Sequence, residues 1–489
     1  MIGLYTADQV RSAERAAMAG LPAGTLVQRA ATGLATACLR LVGRAHGVRV
    51  VLLVGSGDNG GDALYAGAVL ARRGAAVRAV LLDADRVHPG GLTALRRAGG
   101  RVADPADPAL DRADLVLDGI VGIGGRGGLR EAAASLVEQA GAGPGLLVAV
   151  DVPSGVAADT GAVPGAAFTA QHTVTFGAVK RGLVVGPGRG AAGTVHLVDI
   201  GLAGHLPAPD ARQLTDADVA AHLHAPGPDD DKYSRGVVGV AAGSATYPGA
   251  GVLCTGAALR TRPGLVRYAG TAAEGVRTAW PEAIVTAGRP ADASRVQAWV
   301  VGPGTGTDDD ARSALAEVLA TDLPVVVDAD ALTMVAREPG LVGDRTAPTV
   351  LTPHDREFAR LFGDVGADRV AAARRGADQL GCTVLLKGDA TVVADVSGQT
   401  FVNGTGTPWL ATAGTGDVLA GVLGALLATG LDACQAAAVA AHVHGRAGQL
   451  AAERGPLIAG DLVRRLPATL ARLRGAGTAR PAGPGTVEA

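Results

Sequence analysis

The sequence has few aromatic residues, few cysteines, little net charge and no long apolar run, and each shortage excludes a class of protein. Phe, Trp and Tyr make up 3% of the 489 residues. The four cysteines, at positions 38, 254, 382 and 434, form no CxxC pair, which argues against a disulfide framework or a zinc site. A formal charge of −2 gives no electrostatic basis for binding nucleic acid or an anionic membrane. The longest strongly apolar run, residues 418–431, is too short to cross a bilayer.

What is abundant points to an α/β protein. The chain has 73 glycines and few aromatics, so its cores must be built from Ala, Val and Leu, which suits helices packed closely on parallel strands. A length of 489 residues predicts two domains. The N-terminus carries Asp8, Arg11, Glu14 and Arg15 and lacks the apolar core of a signal peptide. We therefore expect a cytoplasmic protein with reduced cysteines and no membrane or nucleic-acid partner.

Strand-like runs alternate with helical stretches in both halves. This βαβ alternation predicts parallel sheets whose functional groups lie at the carboxyl ends of the strands. A helix pair is expected first, at residues 6–19 and 25–42. Strands are expected at residues 48–54, 77–82, 115–117, 146–150, 237–241, 298–301, 325–327, 349–351, 384–386 and 391–394, and near residue 265.

The composition also predicts where the domains begin and end. Residues 203–231 are poor in β-branched residues and rich in Ala, Pro, His and Asp, which predicts a linker with one short helix after Thr215. We therefore predict one domain at residues 1–202 and a second at 232–475. The Gly-, Ala- and Pro-containing tail at 476–489 is predicted to be disordered.

The first half contains a glycine turn that follows a predicted strand. It reads Gly55-Ser56-Gly57-Asp58-Asn59-Gly60-Gly61-Asp62, before a helix predicted at residues 63–73. A turn between a strand and a helix start binds phosphate, because unpaired amides and the helix dipole point at it. The turn has neither GxGxxG nor the Lys-Ser/Thr of a P-loop. If it binds phosphate, its two acids must face a cation or point away from the phosphate. A polar turn without a ligand is the alternative.

Two aspartates follow later strands of the same half. Asp118 precedes a loop made of Gly122, Ile123, Gly124, Gly125, Arg126, Gly127 and Gly128, and Asp151 opens the motif Asp151-Val152-Pro153-Ser154-Gly155. Asn59, Asp118 and Ser154 offer only oxygen ligands, which suits a hard cation and not zinc. Arg126 could hold phosphate, and Asp151 could instead cap the turn at Pro153.

Together with Thr175-Phe176-Gly177-Ala178-Val179-Lys180, these motifs resemble those of the NAD(P)H-hydrate epimerases over residues 1–202. The resemblance implies that Asp151 contacts the substrate beside the reacting ring as the acid/base candidate, with Lys180 near it. It implies a potassium ion held by Asn59, Asp118 and Ser154. The implied contacts to the hydrated dinucleotide are Asp58, Asn59, Gly60, Gly61, Asp62, Asp151 and all seven loop residues from Gly122 to Gly128.

The chain departs from the usual epimerase pattern at three positions. The family commonly reads NNGGDG, and here Asp58 and Ala63 replace its first Asn and last Gly. Gly125 stands where a bulkier residue is common. Asp58 adds negative charge near the diphosphate, and Ala63 limits the backbone slightly.

The most informative motif of the second half is the run from Asn403 to Asp417, which ends in Gly414-Thr415-Gly416-Asp417 before a helix predicted at residues 418–429. The glycine-rich helix start attracts phosphate, while the Asp417 carboxylate would repel it unless it transferred a proton or faced a cation. An enzyme acting on a nucleotide and a hydroxyl group fits both. An ordinary first-turn acid, favourable to the helix dipole, is the alternative.

Further short motifs accompany this one, at residues 232–236, 243–250, 302–306, 328–332, 351–357 and 387–391. In this order they resemble the ADP- or ATP-dependent NAD(P)H-hydrate dehydratases, a ribokinase-like family. The resemblance implies that Asp417 removes the proton of the acceptor hydroxyl. The positions implied to line the hydrated dinucleotide are Ala250, Gly304, His354 and Asp417. Those implied to bind the adenine nucleotide are Lys387, Gly388, Asp389, Ala390, Thr391 and Gly416.

The two resemblances together imply a Rossmann-like three-layer domain followed by a ribokinase-like α/β domain, acting as a bifunctional enzyme that repairs hydrated nicotinamide cofactors. They imply ADP or ATP as co-substrate, magnesium with the nucleotide, and a homo-oligomer, dimeric or tetrameric. His354 alone reads as a structural histidine, and Pro263 is expected to end a helix. A ribokinase-type small-molecule kinase and a non-catalytic nucleotide sensor are the rival interpretations.

Overall fold

The computed structural model describes residues 1–104, 109–223, 225–261 and 263–477. The chain divides into two compact units, one running from Ile2 to Arg212 and the other from Gln213 onward. In the described part of the chain, no helix is long and apolar enough to span a membrane.

The first unit is built on a parallel sheet. The strands of the unit, not all of which belong to this sheet, are β1 (Ile2–Tyr5), β2 (Arg49–Val54), β3 (Ala76–Leu81), β4 (Arg101–Val102), β5 (Leu115–Gly119), β6 (Leu146–Val150), β7 (His172–Phe176), β8 (Val179–Lys180) and β9 (Thr194–Val198), with β10 (Ala211–Gln213) at the boundary. Its helices are α1 (Ala7–Met18), α2 (Thr25–Val42), α3 (Asp58–Arg72), α4 (Pro89–Arg97), α5 (Glu131–Ala142) and α6 (Gly186–Ala192). The sheet has the order β4-β3-β2-β5-β6-β7-β9, and β1 pairs in parallel with β8.

Both faces of this sheet are covered, which explains why its strands are nearly continuous apolar runs. Val50 and Leu52 of β2 belong to one buried cluster, which also includes α1, α2 and α3 residues. Val51 and Leu53 belong to another, with residues of α5. Strand order reverses between β2 and β5, and a crevice is expected outside the carboxyl ends of strands at such a point. The glycine turn after β2 and Asp118 at the end of β5 both lie there.

The second unit repeats the architecture with different connections. Its strands are β11 (Val237–Ala241), β12 (Leu265–Ala269), β13 (Ile284–Thr286), β14 (Ala298–Val301), β15 (Val325–Val327), β16 (Thr349–Leu351), β17 (Thr383–Leu386), β18 (Val392–Ala394) and β19 (Thr400–Val402). Its helices are α7 (Asp216–Ala220), α8 (Pro248–Thr261), α9 (Ala273–Ala279), α10 (Asp309–Leu319), α11 (Asp330–Arg337), α12 (Gly340–Gly343), α13 (Asp355–Phe362), α14 (Arg369–Leu380), α15 (Thr415–Leu427), α16 (Ala433–Ala452) and α17 (Ala459–Ala476).

The strands of this unit follow the order β13-β12-β11-β14-β15-β16-β17-β18-β19. The pairs from β13 to β17 are parallel, and β18 and β19 add antiparallel pairs. The order reverses between β11 and β14, so the turns after these two strands, with Gly243 and Gly304, meet at the second switch point.

Small residues allow the helices of the second unit to pack closely. A Cβ on Gly421 of α15 would lie 2.3 Å from the carbonyl oxygen of Cys254 in α8, and one on Gly424 would lie 2.1 Å from a methyl carbon of Val300 in β14. The core around them consists mostly of Ala, Val and Leu. The prediction of aromatic-poor, closely packed α/β cores is confirmed.

Several boundaries differ from the predictions in an informative way. Helix α3 begins at Asp58, five residues before the predicted start, and α15 begins at Thr415 and not at Val418. Helix α8 ends at Thr261, as Pro263 predicts. The predicted linker contains α7, which follows Thr215 as expected and is capped by it, and also the whole of β10, which was not predicted. The tail predicted to be disordered lies outside the described residues from position 478 on, and the predicted domain limits stay predictions.

Candidate active sites

The glycine turn of the first unit forms the first turn of α3. Gly57 is the N-cap and has no side chain to accept a hydrogen bond from the first-turn amides, and the first helical bond runs from the amide of Gly61 to the carbonyl of Gly57. The preceding amides therefore have no helical partners. A Cβ on Gly55 would lie 1.9 Å from the Ile120 carbonyl oxygen, and one on Gly60 would lie 2.3 Å from the Gly55 carbonyl oxygen. These glycines let the turn approach the loop after β5.

The three predicted cation ligands lie around this approach. Asp118 is fully buried; its Oδ1 accepts the hydroxyl of Ser154 at 2.7 Å and its Oδ2 accepts the Ser154 amide at 2.8 Å. A Cβ on Gly122 would lie 2.9 Å from Oδ1 of Asn59, and the Ser154 hydroxyl also lies 3.2 Å from the Val121 carbonyl oxygen. The structure therefore brings oxygen atoms of the predicted set to one loop.

The charge of Asp118 makes this a site that a cation would fit. Burial raises the pKa of Asp118 to about 6, although hydrogen bonds from Ser154 and Ile120 oppose the rise. Within the described residues Asp118 forms no ion pair, and no charged side chain offsets the effect of burial on its pKa. Buried carboxylates of this kind are stabilised by a bound cation, and oxygen ligands suit a hard cation.

Asp151 lies at the end of β6 in an unusual backbone conformation. Its φ is +66°, a region that aspartate tolerates better than most residues. Its Oδ1 accepts three hydrogen bonds: from the Lys180 ammonium at 2.5 Å, from the Thr175 hydroxyl at 3.1 Å and from the Phe176 amide at 3.3 Å. Asp151 and Lys180 are both buried. Lys180, placed near Asp151 by resemblance alone, thus forms a direct ion pair with it.

Further acids surround this pair, and one of them was not predicted. Burial raises the pKa of Asp62 well above its ordinary value, and the carboxylates of Asp151, Asp58 and Glu14 raise it further. Burial also raises the pKa of Glu14, a residue of α1, where Lys180 opposes the rise. Glu14 follows no motif, and its place in the site depends on how α1 packs.

The loop from Gly122 to Gly128 is stabilised by contacts with residues elsewhere in the first unit. A guanidinium nitrogen of Arg11, in α1, donates to the Ile123 carbonyl oxygen at 2.9 Å, and Gly125 closes a turn onto the Gly122 carbonyl. Gly127 has a positive φ, and a Cβ on Gly128 would lie 2.9 Å from the Cα of Gly165. The remaining loop residues, Gly124 and Arg126, are exposed.

In the second unit Asp417 occupies the first turn of α15. Gly414 is the N-cap with φ +86°, and a Cβ on it would lie 3.8 Å from Oδ2 of Asp417. Burial raises the pKa of Asp417 to about 7; Asp328 and Asp330 raise it further, whereas Lys387 opposes them. No hydrogen bond to the Asp417 carboxylate occurs within the described residues. A carboxyl with such a pKa is suited to exchange a proton near neutral pH.

Lys387 links this helix start to two acids that sequence reasoning did not assign to the site. Its ammonium donates to Asp328 at 2.8 Å and lies 3.7 Å from Glu357. Burial would lower the pKa of Lys387, but Asp328, Glu357 and Asp417 together raise it. A Cβ on Gly416 would lie 3.6 Å from the ammonium, so the cation is beside the free amides of α15.

A cavity of about 980 Å³ opens beside Lys387 and the start of α15. Of the residues predicted to bind nucleotide or substrate, it is lined by His354, Lys387, Gly388, Asp389, Thr391 and Gly416. Its other wall includes Thr405 and Gly445 of α16. Ala250, Gly304, Ala390 and Asp417 are not among the lining residues, and the Ala390 side chain is buried. The cavity volume is in the range of small-ligand sites.

His354 combines the structural role with a place at the cavity. It is the N-cap of α13: its Nδ1 accepts the amides of Arg356 and Glu357, and Glu357 accepts the His354 amide in return. Half of its side chain remains exposed. The structural interpretation of His354 is therefore right about its bonds, and the predicted substrate contact stays a prediction.

Ala250 and Gly304 lie against each other at the second switch point. Gly304 has φ +64°, and a Cβ on it would lie 2.7 Å from the Ala250 Cβ. Leu253, one turn further along α8, approaches Gly414, where a Cβ would lie 2.7 Å from its methyl carbon. Contacts along α8 thus connect Ala250 to the N-cap of the helix that carries Asp417.

His444 of α16 is a further residue of this site that no motif indicated. Its Nε2 is 2.9 Å from the Thr415 carbonyl oxygen, and burial lowers its pKa to about 4. It is therefore neutral at physiological pH, and its Nε2–H donates to the first turn of α15. A histidine inside an alanine-rich helix, here with His442 two residues before it, gives no sequence signal for such a contact.

Comparisons with known proteins match both units. The family model for the YjeF-related protein N-terminus matches residues 23–182, and the one for NAD(P)H-hydrate dehydratase matches residues 238–470. A ribokinase-like superfamily protein from Enterococcus faecalis is 26% identical, with a TM-score of 0.50 over 54% of this chain and 96% of its own.

Full-length relatives match as well. The bifunctional NAD(P)H-hydrate repair enzyme Nnr of Mycobacterium leprae is 54% identical over 92% of this chain and 95% of its own. The enzyme of the same name from Mycobacterium tuberculosis is 54% identical over 89% of this chain and 91% of its own. The chain therefore belongs to the family of bifunctional NAD(P)H-hydrate repair enzymes.

Proposed function

We propose that the chain repairs hydrated NADH and NADPH through two activities. The first unit interconverts the R and S hydrates, and the second dehydrates the S hydrate at the expense of ADP or ATP. Family membership over nearly the full length supports the pair of activities. The observation that carries the chemistry is the position of Asp417 in the phosphate-attracting first turn of α15, where its carboxyl has no hydrogen-bond partner among the described residues and burial raises its pKa to about 7.

In the dehydratase, Asp417 takes the proton of the substrate hydroxyl as the terminal phosphoryl group of the nucleotide is transferred to that oxygen. Amides of the first turn of α15, next to Gly414 and Gly416, stabilise the charge of that group by fixed dipoles. The hydroxyl thereby becomes a phosphate, which is a good leaving group, and its elimination restores the dihydronicotinamide ring. Lys387 and the cavity beside it accommodate the nucleotide.

Magnesium is expected to arrive with the nucleotide phosphates. The described residues contain no group of three His, Cys, Asp or Glu side chains able to hold a metal ion. Magnesium commonly keeps its waters and binds through phosphates plus one or two carboxylates, so a dedicated protein cage is not required.

In the epimerase, Asp151 is the acid/base group beside the reacting ring, and the first turn of α3 with the Gly122–Gly128 loop holds the dinucleotide. Asn59, Asp118 and Ser154 would hold potassium, whose positive charge would balance the negative charge of the buried Asp118 carboxylate. A bound cation would also reduce the repulsion between the acids of the glycine turn and the diphosphate.

Mixed R and S hydrates of NADH, incubated with ADP or with ATP, test both activities in one assay. The return of dihydronicotinamide absorbance reports dehydration, and chromatography follows each isomer. Asp417→Asn should abolish nucleotide-dependent recovery, whereas Asp151→Asn should leave the S isomer usable and strand the R isomer beyond its spontaneous rate. A stable phosphorylated product without recovered absorbance would favour a small-molecule kinase and refute the proposal.

A further inference from the structure

Lys180 has its three hydrogen-bond donors committed to the protein. Its ammonium donates to Asp151 at 2.5 Å, to the Phe176 carbonyl oxygen at 2.9 Å and to the Thr175 hydroxyl oxygen at 3.1 Å. An ammonium has three N–H bonds, so none remains for a substrate. Lys180 is 1% exposed and therefore cannot act as a surface anchor for phosphate.

The sequence spacing explains how this lysine returns to the end of β7. Thr175 and Phe176 end β7, Gly177 turns the chain with φ +71°, and Val179 and Lys180 form β8. The ammonium thus reaches back four residues to the Phe176 carbonyl. Thr175 completes a closed set, because its hydroxyl accepts from Lys180 and donates to Asp151.

All the hydrogen bonds that Asp151 accepts from described residues converge on Oδ1. Oδ2 accepts none of them, and it is not among the buried polar atoms that lack a partner, so it keeps access to the surroundings. The backbone of Asp151 is fixed by its positive φ and by the bond from its amide to the Val174 carbonyl. Only one carboxylate oxygen is therefore available to exchange a proton.

Lys180 also acts electrostatically on the acids around it. The carboxylates that act on one another at this site come from α1 (Glu14), α3 (Asp58 and Asp62) and the residue after β6 (Asp151), and Lys180 is the cation that opposes them at both Glu14 and Asp62. Arg11 of α1 also acts on Glu14, but its guanidinium is bonded to Asp8 and to the Ile123 carbonyl.

We infer that Lys180 is a positioning residue of the epimerase: it holds Asp151 by Oδ1, so that Oδ2 faces the hydrate, and it places one positive charge among the neighbouring carboxylates. This inference rests on the proposed epimerase function. It differs from a catalytic role for Lys180, since the ammonium has no free N–H bond to give to the substrate.

Lys180→Met tests the inference in the full-length chain. We expect kcat for conversion of the R hydrate to fall about a hundredfold, near the lower limit of what a general acid–base group contributes, while KM changes little. Losing the cation disfavours the charged carboxylate, so the acidic limb of the pH profile should move to higher pH. Arg73→Met, which removes one positive charge at an exposed position of the same unit, is the control and should behave as the parent chain.

Consumption of the S hydrate depends on the second unit, so thermal unfolding followed by calorimetry, compared with the parent chain, reports whether the first unit is folded. If Lys180→Met has lost the fold of the first unit, Thr175→Val decides, because it leaves the ion pair and removes the two hydrogen bonds of the Thr175 hydroxyl; it should lower kcat for the R hydrate several-fold. A normal kcat, or a lower kcat with an unmoved pH limb, overturns the inference. A parent chain that converts the R hydrate no faster than the spontaneous reaction overturns the proposed epimerase function instead.

Discussion

Asp328→Asn tests whether neighbouring charges set the protonation of Asp417. After burial, Asp328 is the largest cause of the raised pKa of Asp417, which is about 7. A unit charge roughly 10 Å away acts with about 1.7 kcal/mol at an effective dielectric of 20, which corresponds to roughly one pKa unit. Asp328 also holds the Lys387 ammonium at 2.8 Å, and its removal leaves that cation freer to favour the ionised form of Asp417. Both effects lower the pKa.

The assay is the nucleotide-dependent recovery of absorbance from the S hydrate at saturating ADP, measured between about pH 5.5 and 8.5. A base must be deprotonated to act, so the rate of the parent chain should rise through about pH 7. In Asp328→Asn the midpoint should move down by about one unit, whatever the change in maximal rate. Asp344→Asn, which removes the same charge at an exposed site, is the control. A midpoint that stays in place or moves up refutes the electrostatic argument.

Three further perturbations follow from the same geometry. Because the pKa of Asp417 is raised from 3.8 to about 7, its contribution to stability is lost as the pH rises from about 4 to 7; calorimetry should therefore show that Asp417→Asn stabilises the chain by about 4 kcal/mol more at pH 8 than at pH 4, since one pKa unit corresponds to about 1.4 kcal/mol. Gly304→Ala combines φ +64° with a 2.7 Å approach to Ala250 and should raise KM for the S hydrate about tenfold, and an unchanged KM would contradict that. Asp118→Asn should remove the stimulation of R-hydrate conversion by KCl relative to NaCl, with normal stimulation as the contrary result.

The sequence predicts many of the strands that are apolar runs and misses several others. Strands such as β6 and β14 are runs of apolar residues, and their limits match the predicted ones; the three-residue strands β15 and β16 are also predicted at their limits. The missed strands include β4, β13 and β19, with two or three residues, and β7 and β9, whose five residues mix polar and apolar side chains. Helix α3 was predicted to begin late because Gly60 and Gly61 are weak helix formers, and tertiary contacts override that preference.

The motifs predict most acids of the first site but not Glu14, and in the second site they miss the two acids beside Lys387. Asp328 and Glu357 come from the end of β15 and from α13, and they meet Lys387 only when β15, β16 and β17 lie side by side. Glu357 carries a readable signal, since its position three residues after His354 is typical of a capping box. Asp328 ends a strand before Ala329, whose φ is +52°, and a strained backbone of this kind has no sequence signature. The assigned roles of all these residues stay predictions.

The two units place their candidate acid/base carboxylates in opposite electrostatic surroundings. Asp151 has its own cation, since Lys180 and two further donors bind Oδ1, and charge on one oxygen is stabilised whatever occupies the crevice. Asp417 has no such partner among the described residues, because Lys387 donates to Asp328, and its pKa rises to about 7. A group that must take a proton from a hydroxyl during phosphoryl transfer benefits from a pKa near the working pH. A Lys387 ammonium held by Asp328 stays beside the amides of α15, where a phosphate would bind, without neutralising the base.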